Sequence, residues 1–234
     1  TSRTMAAYGR NGKYQYYRQN YTDFNILNEM QNNFMDLNVL DLKFQGELEW
    51  KPFKGMSLNG LIAYSASQTS NGHRVMDNSN FANAYRAADN SAMRDANKFL
   101  YRDPNNPDAL PEVVMPEGGF YNKQENTMNS LYLRGTANYD VMLNDDFRLC
   151  PMVGIDMRRT ERSNGFNNGY GYVWEGGGVP VVDYRVIQQI LVAGSQYYGF
   201  AESYDRAVGL FGTASASLKD KYTFNLTGRY DGSN

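Results

Sequence analysis

The side chains able to do covalent chemistry are few and scattered. Cys150 is the only cysteine and His73 the only histidine. A thiol nucleophile needs a base within reach, and no histidine stands at useful spacing from Cys150, which reads as a small residue on a strand. One isolated histidine makes a poor zinc centre, because such centres gather three or four His, Cys or carboxylate ligands. Asp95, Asp103 and Asp108 could offer oxygens to calcium, but their spacing is not that of an EF-hand loop. Asp145 and Asp146 sit in a short polar stretch where solvated aspartates are expected in a tight turn. The glycine-rich run GFNNGYGYVWEGGG (165–178) lacks the Lys-Ser/Thr and the strand-to-helix setting of a phosphate loop. The expectation is a protein that is not an enzyme and carries no metal and no cofactor. The chemistry left is recognition. Tyr85, Tyr170, Tyr172 and Trp174 fall in long connecting segments, and such rings offer large contact area at low entropic cost. They are the expected ligand- or partner-contacting residues.

Composition narrows the class. No apolar run approaches about 18 residues, which excludes a membrane protein built from helices. A mean hydropathy of −0.63 leaves a barrel open, because the polar face of each strand dilutes its hydropathy. The net charge of −2 gives no general nucleic-acid footprint. One cysteine permits no internal disulfide. The 19 tyrosines and 12 phenylalanines suit interfacial aromatic girdles and aromatic-tipped loops.

The elements that carry these residues alternate with period two. In LKFQGELEWK (42–51), Leu42, Phe44, Leu48 and Trp50 oppose Lys43, Gln45, Glu47 and Glu49. The turn 52–54 leads into 55–65. In 131–142, Leu131, Leu133, Ala137, Tyr139 and Val141 oppose Tyr132, Arg134, Asn138 and Asp140. The turn 143–146 leads into 147–159, where Phe147, Leu149, Val153 and Ile155 oppose Arg148, Cys150, Asp156 and Arg158. The runs 207–218 and 221–234 alternate likewise around a turn at 219–220. These strands are roughly 10–13 residues long, nearer the 9–11 of a tilted membrane-spanning strand than the 5–6 of a soluble one.

Connections within hairpins are short and those between hairpins are long, the asymmetry of outer-membrane barrels. The chain therefore divides into a loop descending into the barrel (1–41), a hairpin (42–65), a long extracellular loop (66–129), a hairpin (130–159), a second long extracellular loop (160–205) and a hairpin (206–234). Residues 81–100 suit short helices, and Val186, Ile187, Ile190 and Leu191 have helical spacing. The short turns should share one side. Trp50, Tyr139, Phe147, Tyr222 and Phe224 share the apolar parity close to those turns and should form one membrane-interface arc. Lys43, Glu47, Arg134, Asp156 and Arg229 should face the lumen. Six strands fall short of the minimum of about eight that close a bacterial barrel, and Thr1 opens on no signal peptide. The chain is expected to be an internal slice of a larger barrel, ending within it.

The final hairpin, GLFGTASASLKDKYTFNLTGRYDGSN (209–234), resembles the SusC/RagA family of TonB-dependent outer-membrane transporters. The positions that carry the likeness are Gly209, Phe211, Gly212, Lys219, Asp220, Lys221, Tyr222, Arg229, Asp231, Gly232 and Ser233. Asn234 stands where the family usually has a second serine. LKFQGELEWKPFKGMSLNG (42–60) and DFRLCPMVGIDMRR (146–159) are similar to further hairpins of that family. The resemblance implies an antiparallel transmembrane barrel of about 22 strands with a plugged lumen. It also implies import of oligosaccharides or peptides powered through TonB, with a SusD-like lipoprotein as lid. The plug and the TonB-binding segment are not in these residues. The alternative function is an outer-membrane barrel acting in adhesion or binding through its long loops. A soluble glycan hydrolase would need two carboxylates about 5–10 Å apart, which nothing in the sequence specifies.

Overall fold

The computed structural model of the chain describes residues 5–176, 178, 182–219 and 221–234. Asp220 of the expected 219–220 turn and Gly177 of the glycine-rich run lie outside the described residues. The chain opens with a small two-stranded sheet, β1 (Tyr17–Gln19) and β2 (Thr22–Phe24), followed by helix α1 (Ile26–Asn32). Strands β3 (Asn33–Trp50) and β4 (Met56–Val75) come next, then α2 (Asn80–Ala84) and α3 (Ser91–Ala96). After them run β5 (Gly119–Tyr139), β6 (Val141–Asn144), β7 (Phe147–Tyr172), α4 (Tyr184–Val192), β8 (Tyr198–Leu218) and β9 (Tyr222–Ser233). The large sheet has the order β3-β4-β5-β7-β8-β9, with β6 beside β7. Successive long strands are neighbours, the plainest route for a chain built of hairpins. The fold is all-β, mostly antiparallel sheet, with short helices before β3 and in the long connections.

Two compact units emerge from the contacts. One comprises Val39–Thr69, Asn126–Asn164 and Ala201–Asn234. Here the β8–β9 register runs from Ala207↔Ser233 to Leu218↔Tyr222. It places Leu210, Ala214, Ala216 and Leu218 opposite Tyr230, Leu226, Phe224 and Tyr222 on one face, and Phe211, Thr213 and Ser215 opposite Arg229, Thr227 and Asn225 on the other. The alternation in the sequence is thus kept across the ladder. The short turns lie side by side. Asp140 donates its N–H to the Gly55 carbonyl at 2.7 Å, and Lys219 donates its N–H to the Asp146 carbonyl at 2.6 Å. Gly55 adopts φ +88, and a Cβ there would strike the Asp140 carbonyl, so only glycine fits this crossing. Asp140 is the one residue that separates β5 from β6.

The apolar face of this unit has no covering layer. Trp50 is 60% and Tyr222 62% exposed, and Phe224, Leu226 and Tyr230 are also exposed. In a sandwich a second sheet would pack about 10 Å away and bury these rings; none does so among the described residues.

The other unit comprises Thr1–Asn38, Ser70–Glu125 and Gly165–Phe200. Its core is Val75, Ala82, Met115 and Phe120, with Phe81, Tyr85 and Tyr170 packed against it. Asparagines order the loops around this core by satisfying backbone groups that have no ladder partner. Asn25 caps α1 through Leu27 and Asn28 and donates to the carbonyls of Ala7 and Gln15 at 2.7 and 2.8 Å. Asn97, fully buried, donates to the carbonyls of Ala84 and Ala87, both at 2.8 Å, and accepts from the Phe99 N–H at 2.9 Å. Arg86 donates to the carbonyls of Met115, Asp77 and Gly118.

The element boundaries differ from the sequence reading. β3 begins inside 1–41, β4 and β5 take the two ends of 66–129, and β7 and β8 take the two ends of 160–205. Backbone pairing extends past the point where alternation stops, because strands with both faces polar need no apolar parity. The glycine-rich run is strand as far as Tyr172 rather than loop. The helices expected in 81–100 are α2 and α3, and the spacing at 186–191 is α4, whose Val186 is buried.

Candidate functional site

The four rings singled out by sequence fall into two aromatic groups. Tyr85 stacks on Phe99 with centroids 4.5 Å apart and meets Phe120 edge-on at 4.9 Å. Tyr170 meets the same Phe120 ring at 5.4 Å. Both tyrosines therefore help to build the core, and burial, reinforced by Tyr170, pushes the Tyr85 hydroxyl up to about 12. Tyr172 and Trp174 lie 4.6 Å apart and both pack on Tyr121, at 5.2 Å each. The Trp174 indole N–H donates to the Val75 carbonyl at 3.0 Å. Arg74 lies over the Trp174 ring at 5.5 Å and the Tyr121 ring at 5.9 Å, with its Nε 2.5 Å from Asp36. This group, half-buried and pinned by a hydrogen bond, is a rigid aromatic platform edged by one cation.

On the opposite face of β4 and β5 from the platform, amides and His73 form a polar recess. His73 Nε2 lies 2.7 Å from Asn33 Oδ1, and Nδ1 lies 3.4 Å from Asn122 Nδ2. The histidine thus sits among neutral hydrogen-bonding partners rather than metal ligands. The calcium trio Asp95, Asp103 and Asp108 does not assemble: among the described residues no group of three or more His, Cys, Asp or Glu could hold a metal. On α4, Arg185 grips its own N-cap, Asp183, at 2.8 Å and also Glu112 at 2.5 Å. These hydrogen bonds hold the Asp183 carboxyl below the usual carboxylate range.

The second concentration of chemistry lies on the polar face of the other unit. Arg229 Nη1 is 3.0 Å from Asp156 and Nη2 is 2.6 Å from Asp231. The Arg229 guanidinium also lies 5.6 Å from the Phe211 centroid. Arg134 covers the same ring at 4.9 Å, and Arg158 covers Tyr132 at 5.6 Å. Three of the five residues expected to face the lumen, Arg134, Asp156 and Arg229, therefore meet. Parity alone placed Tyr132 and Arg158 on this face. What the sequence withheld was adjacency, which depends on register between β5, β7, β8 and β9. One signal was available: Phe211 is a large aromatic out of phase with the apolar face of its own strand.

The five residues expected to form a membrane-interface arc stand on the opposite face. Trp50, Tyr139, Tyr222 and Phe224 are exposed and Phe147 is half-buried. Tyr139 packs edge-on to Phe53 of the neighbouring short turn, with centroids 6.2 Å apart.

No protein-family model matches the chain, and no curated protein matches it in sequence. Among solved structures, it is similar to the RagAB peptide transporter, with a TM-score of 0.60 at 11% identity over 87% of this chain and 18% of that chain. The likeness is one of fold, a sheet of long antiparallel strands. The RagAB peptide importer in its open-open state gives a TM-score of 0.57 at 12% identity, and in its closed-closed state 0.56 at 12%, with the same coverage. The chain spans about a fifth of the length of those structures (18%). At such identity the likeness is one of fold alone.

Proposed function

We propose that this chain is part of the barrel wall of a SusC-like, TonB-dependent importer in the outer membrane of a Gram-negative bacterium. It would take up oligosaccharides or peptides together with a SusD-like surface lipoprotein, and would catalyse no reaction. The observation that carries this reading is the two-faced sheet. One face is apolar and uncovered across the whole β8–β9 ladder, while the other holds an ion-paired arginine cluster. Water penalises the first face and hydrocarbon the second, so the sheet suits a wall between lipid and an aqueous lumen. The likeness to RagAB, a peptide transporter, supports the same reading. Contacts with the TonB complex and the plug would come from other parts of the protein. In this reading Trp50, Tyr139, Phe147, Tyr222 and Phe224 lie at the membrane–water interface, and Tyr85, Tyr170, Tyr172 and Trp174 support the surface that meets substrate or lid.

The test is made on the full-length protein in its own host. Cell fractionation should recover it in the outer membrane as a heat-modifiable band. Deleting its gene, or collapsing the proton gradient, should abolish uptake of a fluorescent peptide or oligosaccharide. Recovery in the soluble fraction would overturn the proposal. Recovery in the outer membrane with uptake intact but surface attachment lost would favour the adhesion reading instead.

A further inference from the structure

The three arginines of the polar face share one concavity of about 600 Å³, lined also by Tyr132, Asp156 and Phe211. Their partners differ. Arg229 is neutralised on both sides, by Asp156 and Asp231. Arg134 and Arg158 meet ring faces instead, and among the described residues neither forms an ion pair. Three guanidiniums against two carboxylates leave one positive charge in excess. A guanidinium lying over a ring uses its face and leaves its fork of N–H donors free. That fork matches a carboxylate in two-point geometry.

The concavity is also built rather than incidental. A Cβ at Gly154 would collide with the Phe211 ring. One at Gly209 would meet Asp231 Oδ1 at 2.7 Å and Asp156 Oδ1 at 2.8 Å. Two glycines thus keep room for the ring that seats Arg134 and for the ion pairs that hold Arg229. The rings of Tyr132 and Phe211 give the recess an apolar floor beside its charge.

We propose that Arg134 and Arg158 form a carboxylate-binding station for acidic solutes, taking either an acidic side chain of a peptide or the carboxylate of a uronic acid. Asp156 and Asp231 keep Arg229 occupied, so the excess charge is offered at the two stacked arginines. The inference rests on the importer reading and names a substrate class within it.

The experiment measures uptake by cells carrying the full-length protein, using matched probes. One pair is the N-acetylated, C-amidated peptides Ala-Glu-Ala-Ala and Ala-Gln-Ala-Ala; the other is a galacturonate trisaccharide and its neutral galactose counterpart. Which pair the wild type imports decides the source of the carboxylate. Arg134→Gln and Arg158→Gln should each lower uptake of the acidic member about tenfold, as loss of a charge-assisted hydrogen bond implies. The neutral member should change by less than about twofold, since hydrogen bonds to neutral groups contribute less. Arg134→Lys, which keeps charge but not the fork, should recover part of the loss. A heat-modifiable band reports correct assembly. Should Arg134→Gln fail to assemble, Arg158→Gln carries the same test, because its guanidinium is seated only on the Tyr132 ring. Equal loss for acidic and neutral probes, or no loss for either, would overturn the station while leaving the importer standing. Wild-type cells that import neither pair would count against the importer itself.

Discussion

A charged residue walked down β9 should report membrane depth one step at a time. Tyr222, Phe224 and Leu226 lie on the uncovered face, opposite Leu218, Ala216 and Ala214. A strand rises about 3.4 Å per residue. At a tilt of about 40°, each residue advances roughly 2.6 Å along the membrane normal. With Tyr222 at the interface, Phe224 then lies about 5 Å and Leu226 about 10 Å deeper, in an apolar band about 25 Å tall. Leu226, 75% exposed in the chain, is thus close to the midplane. Arginine at the midplane costs about 2–4 kcal/mol and near the interface about 0–1. Tyr222→Arg should therefore be nearly neutral, Phe224→Arg intermediate and Leu226→Arg the most destabilising.

Asn225→Arg is the control on the other face. It gives up the exposed 2.6 Å hydrogen bond between Ser215 Oγ and Asn225 Oδ1, which contributes about 0.5–1.5 kcal/mol, and it buries no charge in lipid. The assay is reversible denaturant unfolding of the full-length barrel from lipid vesicles, read as a shift in midpoint at constant slope. Equal costs at positions 222, 224 and 226 would refute the depth argument. A cost for Asn225→Arg as large as that for Leu226→Arg would refute the parity beneath it.

Three further outcomes are expected. Trp174→Phe leaves the Val75 carbonyl without its indole donor and should cost about 1–3 kcal/mol by denaturant unfolding; alanine at Trp174 and Tyr172 together should weaken substrate uptake or lid binding, and unchanged uptake with an unchanged complex would remove both from the site. Tyr85, whose hydroxyl titrates near 12 rather than 10, favours the fold fully below pH 10 and loses that contribution as pH rises through about 12; of order 3 kcal/mol is at stake, and Tyr85→Phe should flatten this alkaline loss in a pH series of unfolding midpoints. Gly154→Ala, by driving a methyl into the Phe211 ring, should cost about 1–3 kcal/mol, and adding Phe211→Leu should relieve much of it.

How legible the chain was depends on which solvent each segment answers to. Where one face is apolar, parity alone gave the hairpins, the turn at 52–54 and the face of every arc residue, while of the turn expected at 143–146 only Asp145 and Asp146 form the turn, because Leu143 and Asn144 still belong to β6. Leu226, Phe224 and Tyr222 could be assigned without knowing any neighbour. Past about residue 66, 119–129 and 160–172 carry amides and charges on both faces, as in TERSNGFNNGY (160–170), so the eye sees a loop where the backbone still pairs. The helices α2 and α3 were visible because an alanine-rich run is a local signal. The roles of Tyr85 and Tyr170 were not visible. Both read as loop aromatics, yet they close a core whose other members, Val75, Met115 and Phe120, come from distant stretches of sequence. Adjacency of that kind is tertiary information, and short polar segments do not encode it.

The same division explains how a hairpin signature can stand out in a chain that shares only 11% identity with a similar structure. A face turned to lipid asks only that a residue be apolar, so Leu, Phe, Ala and Tyr can exchange there without changing the wall. A packed polar face is more exacting. Phe211 fits because Gly154 has no side chain, Arg229 and its two carboxylates fit because Gly209 has none, and Arg134 is held by the ring they leave room for. Altering any one member strands a charge or closes the space of another, and an uncompensated charge is costlier than a lost apolar contact. Gly209, Phe211, Arg229 and Asp231 belong both to this cluster and to the motif read in the sequence. Those four letters lie on the polar face, where geometry restricts the choice of residue, while Gly212, Tyr222 and Gly232 of the same motif lie on the apolar face.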